Sequence, residues 1–566
     1  MSKVRAVEYL NERKLIKKDY VALAFIVIAY LLFLRYGFRH SGAAQEEGEI
    51  LSEAYLASHG LMMYRDFNNM YGPLGIWDVA FIFKLFGSSI YVERAIGAIY
   101  EITTIIAAFR IGAIKSTVFG VAASIPFLLF FVSGADGGLY AWPWYLALSL
   151  SLWAIFCLHK NLAVKDGAIK WGIIGAVLIS LAILTRFDFA IALIPIAVIY
   201  LIPLNKGKRL SAFLGLLLAP VGYLIQAILS GFSATFYYLF VNPQHELSGN
   251  YLPLPPPTGE LAAYFDREST TIHRVTWSFP SPSLALQLNL IFWAGIVFFG
   301  LGLAVIILRV LKDRDKKPYV LIAIMVFELG TAPASLQRPD SSHLMQFFLT
   351  AALFVVLGAA YIADGRSLFT LLKLAAGICS LVLMCFLIPA YTIAPTIYSY
   401  QASVDSNEFR TYEVTNLGHQ FFFGDVVSQE YANETLKFVD SIASKNSSLV
   451  VAITNLQLSP YNDSYLYYML PQLYPGTKYL IFYPDISLND GKKFASELAK
   501  ANILILSSKY WNWVEPNSSV TPGSLEPGKV VSSKYCQVAQ FHYFEVLVNK
   551  SDPPHGISKS KLDTCP

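Results

Sequence analysis

The sequence predicts an α-helical polytopic membrane protein that ends in an extracytoplasmic α/β domain. Of its 566 residues, 55% are hydrophobic and only 14% are charged, whereas soluble domains carry about a quarter charged residues. Apolar runs of about 20 residues recur along the chain, which is long enough to cross a hydrocarbon core of roughly 30 Å. From about Ile393 the composition changes to that of a soluble domain.

The first membrane span is predicted from Tyr20 to about Phe38, after a polar and basic segment at 1–19. This apolar run is too long for the core of a signal peptide, and no small-residue cleavage site follows it. We therefore expect a retained helix at the start of a transmembrane domain that covers 20–392. Together with further apolar runs, the total is about eleven spans. These runs lie at about 92–113, 117–134, 142–158, 171–186, 189–204, 210–231, 285–309, 318–336, 344–363 and 368–392.

Basic residues fall at every alternate junction between the predicted spans, as the positive-inside rule requires of cytoplasmic loops. This pattern predicts a cytoplasmic amino terminus and, with an odd number of spans, an extracytoplasmic carboxy terminus. The basic junctions contain Arg110, Lys115, Lys160, Lys165, Lys170, Lys206, Lys208, Arg209, Arg309 to Lys317, and Arg366. The outer junctions are then 39–91, 134–141, 186–188, 232–284 and 337–342.

The apolar stretch from Leu74 to Phe86 in the first outer loop is short for a membrane crossing and ends at Gly87. We expect it to lie along the membrane surface. A crossing here would invert the predicted side of every later loop.

Residues 393–566 are predicted to form the soluble domain, because β-rich runs alternate there with helical segments. The predicted strands are 449–454, 478–482, 503–506 and 542–548, and the predicted helices are 432–444 and 490–501. Cys536 and Cys565 would be able to form a disulfide bond if this domain faces an oxidising compartment.

Several classes of partner are disfavoured by composition and motifs. The formal net charge is only +4, and the basic residues are dispersed among apolar runs, so nucleic acid is not an expected partner. Neither a dinucleotide fingerprint nor a phosphate-binding P-loop occurs in the sequence. The cysteines lack metal-site spacing, so a divalent metal cofactor is neither indicated nor excluded.

Two adjacent carboxylates, Glu46 and Glu47, follow the first span within the segment Gln45-Glu46-Glu47-Gly48-Glu49. At this depth a carboxylate would lie beside lipid headgroups, where a general base for a lipid-linked substrate is needed. The alternative is a solvated helix start, at which glutamates are stabilised by the helix dipole.

More specific elements come next in the sequence. Tyr64-Arg65-Asp66-Phe67 is followed by Tyr71-Gly72-Pro73-Leu74 and by Arg94 at the start of the second span. With the acidic pair before them, these elements resemble the GT-C glycosyltransferases of the protein O-mannosyltransferase and aminoarabinose-transferase type. The resemblance extends to the 184–188 and 337–343 turns and into the tail.

This resemblance implies transfer of a hexosyl or pentosyl group from a polyprenyl-phosphate sugar to a lipid, glycan or protein acceptor. The reaction would take place on the extracytoplasmic face, with inversion at the anomeric carbon. In that family the acidic pair is usually Asp-Glu, and its first member is taken to be the base. The matching residues here are Glu46 and Glu47, and which of them takes the proton stays open.

Outer-face cations would stabilise the charge that develops on the leaving phosphate. Each candidate has a structural alternative: Arg186 would also suit a helix end whose side chain extends to the interface, and Arg338, Asp340 and His343 would also suit a polar turn. Asp136 lies among aromatic residues that are typical of an interfacial belt. The full set of predicted binding residues is Tyr64, Arg65, Asp66, Tyr71, Asp136, Arg186, Asp188, Arg338, Asp340 and His343.

Two other functions are compatible with the sequence. A transporter of a lipid or polar solute is the first, because Glu101 lies inside the second predicted span and transporters place charges near the bilayer midplane. Flux without a glycosidic product would favour it. A receptor whose tail binds a ligand is the second, although about eleven spans exceed what an anchor requires.

Overall fold

The computed structural model describes residues 13–133, 138–163, 169–252, 254, 284–312, 318–363, 393–405, 411–445, 447–483, 486–511, 515, 517–557 and 562. Within these ranges, seven helices are long and apolar enough to cross a membrane, and three shorter apolar helices accompany them. The chain is therefore a multi-pass membrane protein. The predicted span at 368–392 lies outside the described residues.

Each predicted span within the described residues coincides with a helix, because apolar runs of this length satisfy their backbone polar groups internally as helices. The number of crossings, about eleven, stays a prediction. The helices of this region are α1 Lys17–Gly37, α2 Glu46–Ser58, α3 Leu74–Phe86, α4 Ile90–Ala113, α5 Thr117–Ser133, α6 Pro143–Ala163, α7 Ile169–Thr185, α8 Ala190–Leu201, α9 Lys206–Leu216, α10 Leu218–Ser230, α11 Phe232–Phe236, α12 Asn242–Asn250, α13 Leu284–Lys312, α14 Tyr319–Leu336, α15 Ser341–Ala363 and α16 Ile393–Val404.

Helix α3 has only 13 residues, which at 1.5 Å per residue gives about 20 Å and falls short of a crossing. One face of α3 is buried through Ile76, Val79 and Phe83. The opposite side leaves Phe81 and Leu85 exposed. Apolar side chains thus lie on both sides of α3, one side against the protein and the other open to lipid, which agrees with a helix in contact with the membrane.

Helix α16 packs against α1 and α5. The Tyr400 hydroxyl donates to the Ala29 carbonyl at 2.7 Å, and Ser403 Oγ donates to the Phe33 carbonyl at 3.3 Å. Although the composition changes at Ile393, α16 therefore packs with the membrane helices. The sheet domain comes later in the chain, and its first strand begins at Tyr412.

A five-stranded mixed sheet forms the core of the carboxy-terminal domain, in the order β4-β3-β5-β7-β6. Strand β3 is parallel to β4 and β5, whereas β7 is antiparallel to β5 and β6. A separate hairpin, β1-β2, turns through Leu417 and Gly418, which both have positive φ. The strands are β1 Tyr412–Asn416, β2 His419–Phe423, β3 Ser448–Ile453, β4 Tyr474–Pro475, β5 Ile503–Ser507, β6 Tyr535–Phe541 and β7 Phe544–Asn549. The domain's helices are α17 Val426–Ile442, α18 Tyr465–Met469, α19 Ile486–Asn489, α20 Gly491–Leu498 and α21 Glu526–Lys534.

The strand predicted at 478–482 is wrong. The segment is not a strand, because the side chain of Asn462 satisfies its backbone in place of a neighbouring strand. Asn462 Nδ2 donates to the Leu480 carbonyl at 2.9 Å, and the Phe482 amide donates to Asn462 Oδ1 at 3.1 Å. The apolar side chains of this segment still pack into the domain core.

The sheet domain docks directly onto α2. The Tyr465 amide donates to the Ala44 carbonyl at 3.2 Å, and Ser52 Oγ donates to the Ser464 carbonyl at 2.9 Å. A Cβ atom on Gly48 would lie 2.5 Å from the Tyr465 amide nitrogen, so the glycine permits this close approach. The docking fixes the start of α2 between the membrane helices and the sheet domain.

Candidate functional site

A cavity of about 560 Å³ lies where the sheet domain meets one end of the helical bundle. The predicted outer junctions within the described residues, together with the tail, contribute to its wall. The cavity therefore gathers segments that are far apart in sequence on one side of the bundle. Among the predicted site residues, it contains Glu46, Tyr71, Arg186, Arg338, Asp340 and His343.

Glu46 is the first residue of α2, and its side chain is exposed to the cavity. Among the described residues, its carboxylate has no side-chain hydrogen-bond donor. Desolvation in the cavity raises the pKa of Glu46; the charge of Arg338 opposes this rise, while the charges of Asp340 and Glu515 add to it. A carboxylate with a raised pKa and an open approach suits a general base.

Glu47 points away from this cavity and is almost completely buried. Both of its oxygens accept from Arg94, with Nε–Oε1 at 2.6 Å and Nη2–Oε2 at 2.9 Å. Arg94 also donates to the carbonyls of Phe38 at 3.1 Å and His40 at 2.8 Å. The pair joins α2 to α4 and to the end of the first span, so the contacts of Glu47 are those of a structural residue.

Two further carboxylates follow Glu46 along the same side of α2. Glu49 lines the cavity and accepts a hydrogen bond from the Tyr483 hydroxyl at 3.1 Å. Burial raises the pKa of Glu49 to about 8, and the nearby charge of Glu46 adds to the rise. Glu53 is deeper, is fully buried, and accepts from Asn69 Nδ2 at 2.5 Å. Glu46 and Glu49 therefore place two carboxyl groups in the cavity wall, and Glu53 lies behind them.

Arg186 ends the α7 turn and reaches the cavity. Its Nε and Nη2 donate to Asp188 at 3.0 and 2.8 Å, and its guanidinium lies 5.2 Å from the Tyr71 ring centroid. Asp188 therefore orients the arginine. Because Nη1 makes no hydrogen bond within the described part of the chain, Arg186 can offer that nitrogen to an anion.

Arg338 is instead held completely by protein acceptors. Nε donates to Asp340 at 2.5 Å, and the two terminal nitrogens together bind the carboxylate of Glu515. The remaining donors reach Asn250 Oδ1 at 3.1 Å and the Tyr461 hydroxyl at 3.0 Å. All five N–H bonds of the guanidinium are thus used, and the side chain joins the membrane domain to the sheet domain.

Asp340 also positions His343. Its Oδ1 lies 2.7 Å from His343 Nδ1 and accepts from the His343 amide at 3.0 Å. Burial acts against ionisation of Asp340, but His343, through its charge and hydrogen bonds, and the charge of Arg338 hold its pKa below the ordinary value. The other ring nitrogen of His343 is left for a ligand in the cavity.

The remaining predicted residues that the structure describes do not line the cavity. The Tyr64 hydroxyl donates to the Tyr71 carbonyl at 2.5 Å, so this buried residue supports the cavity wall from behind. Arg65 and Asp66 form an ion pair at 2.8 Å on the surface. Asp136 lies outside the described residues.

Several solved structures are similar to the chain. The crystal structure of ArnT from Cupriavidus metallidurans bound to undecaprenyl phosphate is 12% identical, with coverage of 94% of this chain and 97% of that chain and a TM-score of 0.47. The cryo-EM structure of the arabinofuranosyltransferase AftD from Mycobacteria is 13% identical, with coverage of 97% of this chain and 40% of that chain and a TM-score of 0.47. No family model and no curated protein matches the chain.

Several residues of the cavity were not predicted. The sequence motif around Glu46 already contained Glu49, and its spacing of three residues on a helix could have identified it. Glu515, Tyr461 and Tyr483 carry no local signal, because they reach the cavity only through docking of the sheet domain. In the ranges that the structure describes, no group of three or more His, Cys, Asp or Glu side chains is arranged to hold a metal ion.

Proposed function

We propose that this chain is a membrane glycosyltransferase that moves a hexosyl or pentosyl group from a polyprenyl-phosphate sugar to an acceptor hydroxyl. The observation that carries the proposal is the cavity shared by Glu46, Arg186 and His343. It combines an unpaired carboxylate, which can accept a proton, with groups that can bind a phosphate. The acceptor is a lipid, glycan or protein that reaches the cavity from the extracytoplasmic side.

The reaction is a single displacement at the anomeric carbon. Glu46 takes the proton of the acceptor hydroxyl as its oxygen bonds to the anomeric carbon. The bond from that carbon to the phosphate oxygen breaks, and its electron pair stays with the polyprenyl phosphate. Arg186 Nη1 and His343 stabilise the charge that the phosphate gains. Attack opposite the leaving group inverts the anomeric configuration.

We also propose that the cavity lies on the extracytoplasmic side of the membrane. Cys536 in the sheet domain is disulfide-bonded, and disulfides persist mainly in oxidising compartments. Cys565 lies outside the described residues. The basic residues Arg13, Arg110 and Lys160 meet in a pocket that none of the cavity residues lines. Both observations favour a cytoplasmic amino terminus and an extracytoplasmic cavity.

The transporter alternative rested on Glu101 in the second span. The buried carboxylate of Glu101 accepts a hydrogen bond from the Tyr30 hydroxyl at 2.8 Å. This contact gives Glu101 a structural role between α1 and α4, which argues against a solute site at that position.

The test is a transfer assay on the purified protein in nanodiscs with a panel of polyprenyl-phosphate pentoses and hexoses and lipid or peptide acceptors. The wild type should form a glycosidic product with at least one donor, and Glu46→Gln should reduce the rate by about 10²–10⁴-fold. Glu526→Gln, which alters an exposed carboxylate outside the cavity, is the matched control. Full activity in Glu46→Gln, or solute flux without product, would reject the proposal.

A further inference from the structure

A row of polar side chains runs from the cavity into the helical bundle along α15. His343, Gln346 and Thr350 are spaced by three and four residues, so they lie on one face of the helix. His343 and Gln346 line the cavity. Thr350 is 2% exposed and donates a hydrogen bond to the carboxylate of Glu328 on the neighbouring helix α14. The row therefore connects the cavity to a buried acidic group.

Two polar atoms in this row are buried without a hydrogen-bond partner among the described residues: Nε2 of Gln346 and Oε1 of Glu328. Their residues are 5% and 1% exposed. A buried polar group that lacks a partner is costly, and Gln346, unlike Glu328, lines the cavity, so its amide nitrogen indicates a bound molecule. The amide N–H of Gln346 needs an acceptor, and the oxygen of a hydroxyl group can supply one.

We propose that Gln346 forms a subsite for a hydroxyl group of the transferred sugar at the inner end of the cavity. This inference rests on the proposed function and deepens it. Gln346 donates its amide N–H to the oxygen of the sugar hydroxyl. The subsite binds a hydroxylated sugar and orients the ring toward Glu46.

A glutamine with only a structural role has a different environment, which Gln226 illustrates. The Gln226 side chain donates to Ser230 Oγ at 2.6 Å and to the Met63 carbonyl at 3.2 Å, and it accepts from Trp77 at 3.0 Å. Gln226 does not line the cavity. Replacing it therefore removes contacts that exist without substrate, whereas replacing Gln346 removes a donor that has no protein acceptor.

The experiment compares Gln346→Met with Gln226→Met, since methionine has a similar size and no amide. Melting temperature in detergent should stay unchanged or rise for Gln346→Met and should fall for Gln226→Met. In the transfer assay, kcat/KM of Gln346→Met should fall by about tenfold or more. The assay is repeated with a set of donors, each lacking one sugar hydroxyl. With one of these donors, kcat/KM of the wild type should fall by the same factor. For that donor, kcat/KM of Gln346→Met should equal that of the wild type.

Two results would overturn the subsite. Wild-type kcat/KM in Gln346→Met on every donor would show that the amide does not contact substrate. A lower melting temperature with an equal rate loss on every donor would show that Gln346 binds a fixed water instead. Failure of the proposed function itself looks different: the wild type would then transfer nothing, the Glu46→Gln variant would match it, and the subsite would fall with it.

Discussion

Arg338 and Glu515 lie 177 residues apart in sequence and form a two-pronged ion pair across the interface between the membrane domain and the sheet domain. Exposure is 13% for the Arg338 side chain and 2% for that of Glu515. Arg338 was predicted to bind the donor phosphate, yet the carboxylate of Glu515 occupies the position that a phosphate would take. The donor phosphate must therefore either displace Glu515 from Arg338 or be held by Arg186 and His343 alone.

Replacement of Glu515 by Gln distinguishes these two modes of donor binding. If the donor displaces Glu515, then Glu515→Gln should tighten binding of undecaprenyl phosphate by about tenfold, because a neutral amide competes less well for a guanidinium. Binding can be measured by microscale thermophoresis in nanodiscs, with Glu526→Gln as control. Weaker binding in Glu515→Gln would mean that the ion pair shapes the cavity and that Arg338 does not bind the donor.

Loss of the Glu47 charge should affect folding more than chemistry. Glu47→Gln leaves Arg94 buried without its counter-charge, and breaking a buried ion pair costs about 3–5 kcal/mol. The two side chains are 2% and 1% exposed, so solvent cannot replace the lost carboxylate. The expected result is a much lower melting temperature for Glu47→Gln and little change for Glu46→Gln. The reverse order would show that the Glu47–Arg94 ion pair does not stabilise the fold.

The location of most of the site could be predicted because membrane spans and their flanking charges are local signals. Hydropathy placed Glu46 and Arg186 beside helix ends on the same side, and the structure brings both to one cavity. The division of roles between Glu46 and Glu47 could not be predicted. It depends on Arg94, which lies 47 residues away and takes one of two adjacent carboxylates.

Contacts between the membrane domain and the sheet domain could not be predicted from the sequence, for a related reason. Glu515 and Tyr483 belong to the sheet domain, and no periodicity relates them to α2 or to Arg338. Their positions follow from how Ser464 and Tyr465 dock against Ala44. Such docking depends on the complementary shapes of two folded surfaces, which a single sequence does not reveal.

Arg186 should be more important for donor binding than Arg65. Arg186→Gln removes the cavity guanidinium with a free Nη1, and a lost charge-assisted hydrogen bond to phosphate should raise KM for the lipid donor by about tenfold to a hundredfold. Arg65→Gln breaks an exposed ion pair outside the cavity and should leave KM unchanged. Steady-state kinetics over a range of donor concentrations compares them. Equal KM values in the two variants would show that Arg186 does not bind the donor phosphate.

Stability should depend on pH through Glu49. Its pKa is raised to about 8 in the folded protein from an ordinary value of 4.5, mainly by burial. The folded state therefore holds a proton that the unfolded state releases between these values, and the free energy of unfolding should fall as pH rises from about 4.5 to about 8. Glu49→Gln removes this titration. Melting temperatures at pH 5 and pH 8 should thus differ less in Glu49→Gln than in the wild type or in the exposed control Glu526→Gln. Equal differences in all three proteins would show that Glu49 is ionised in the folded state across this range.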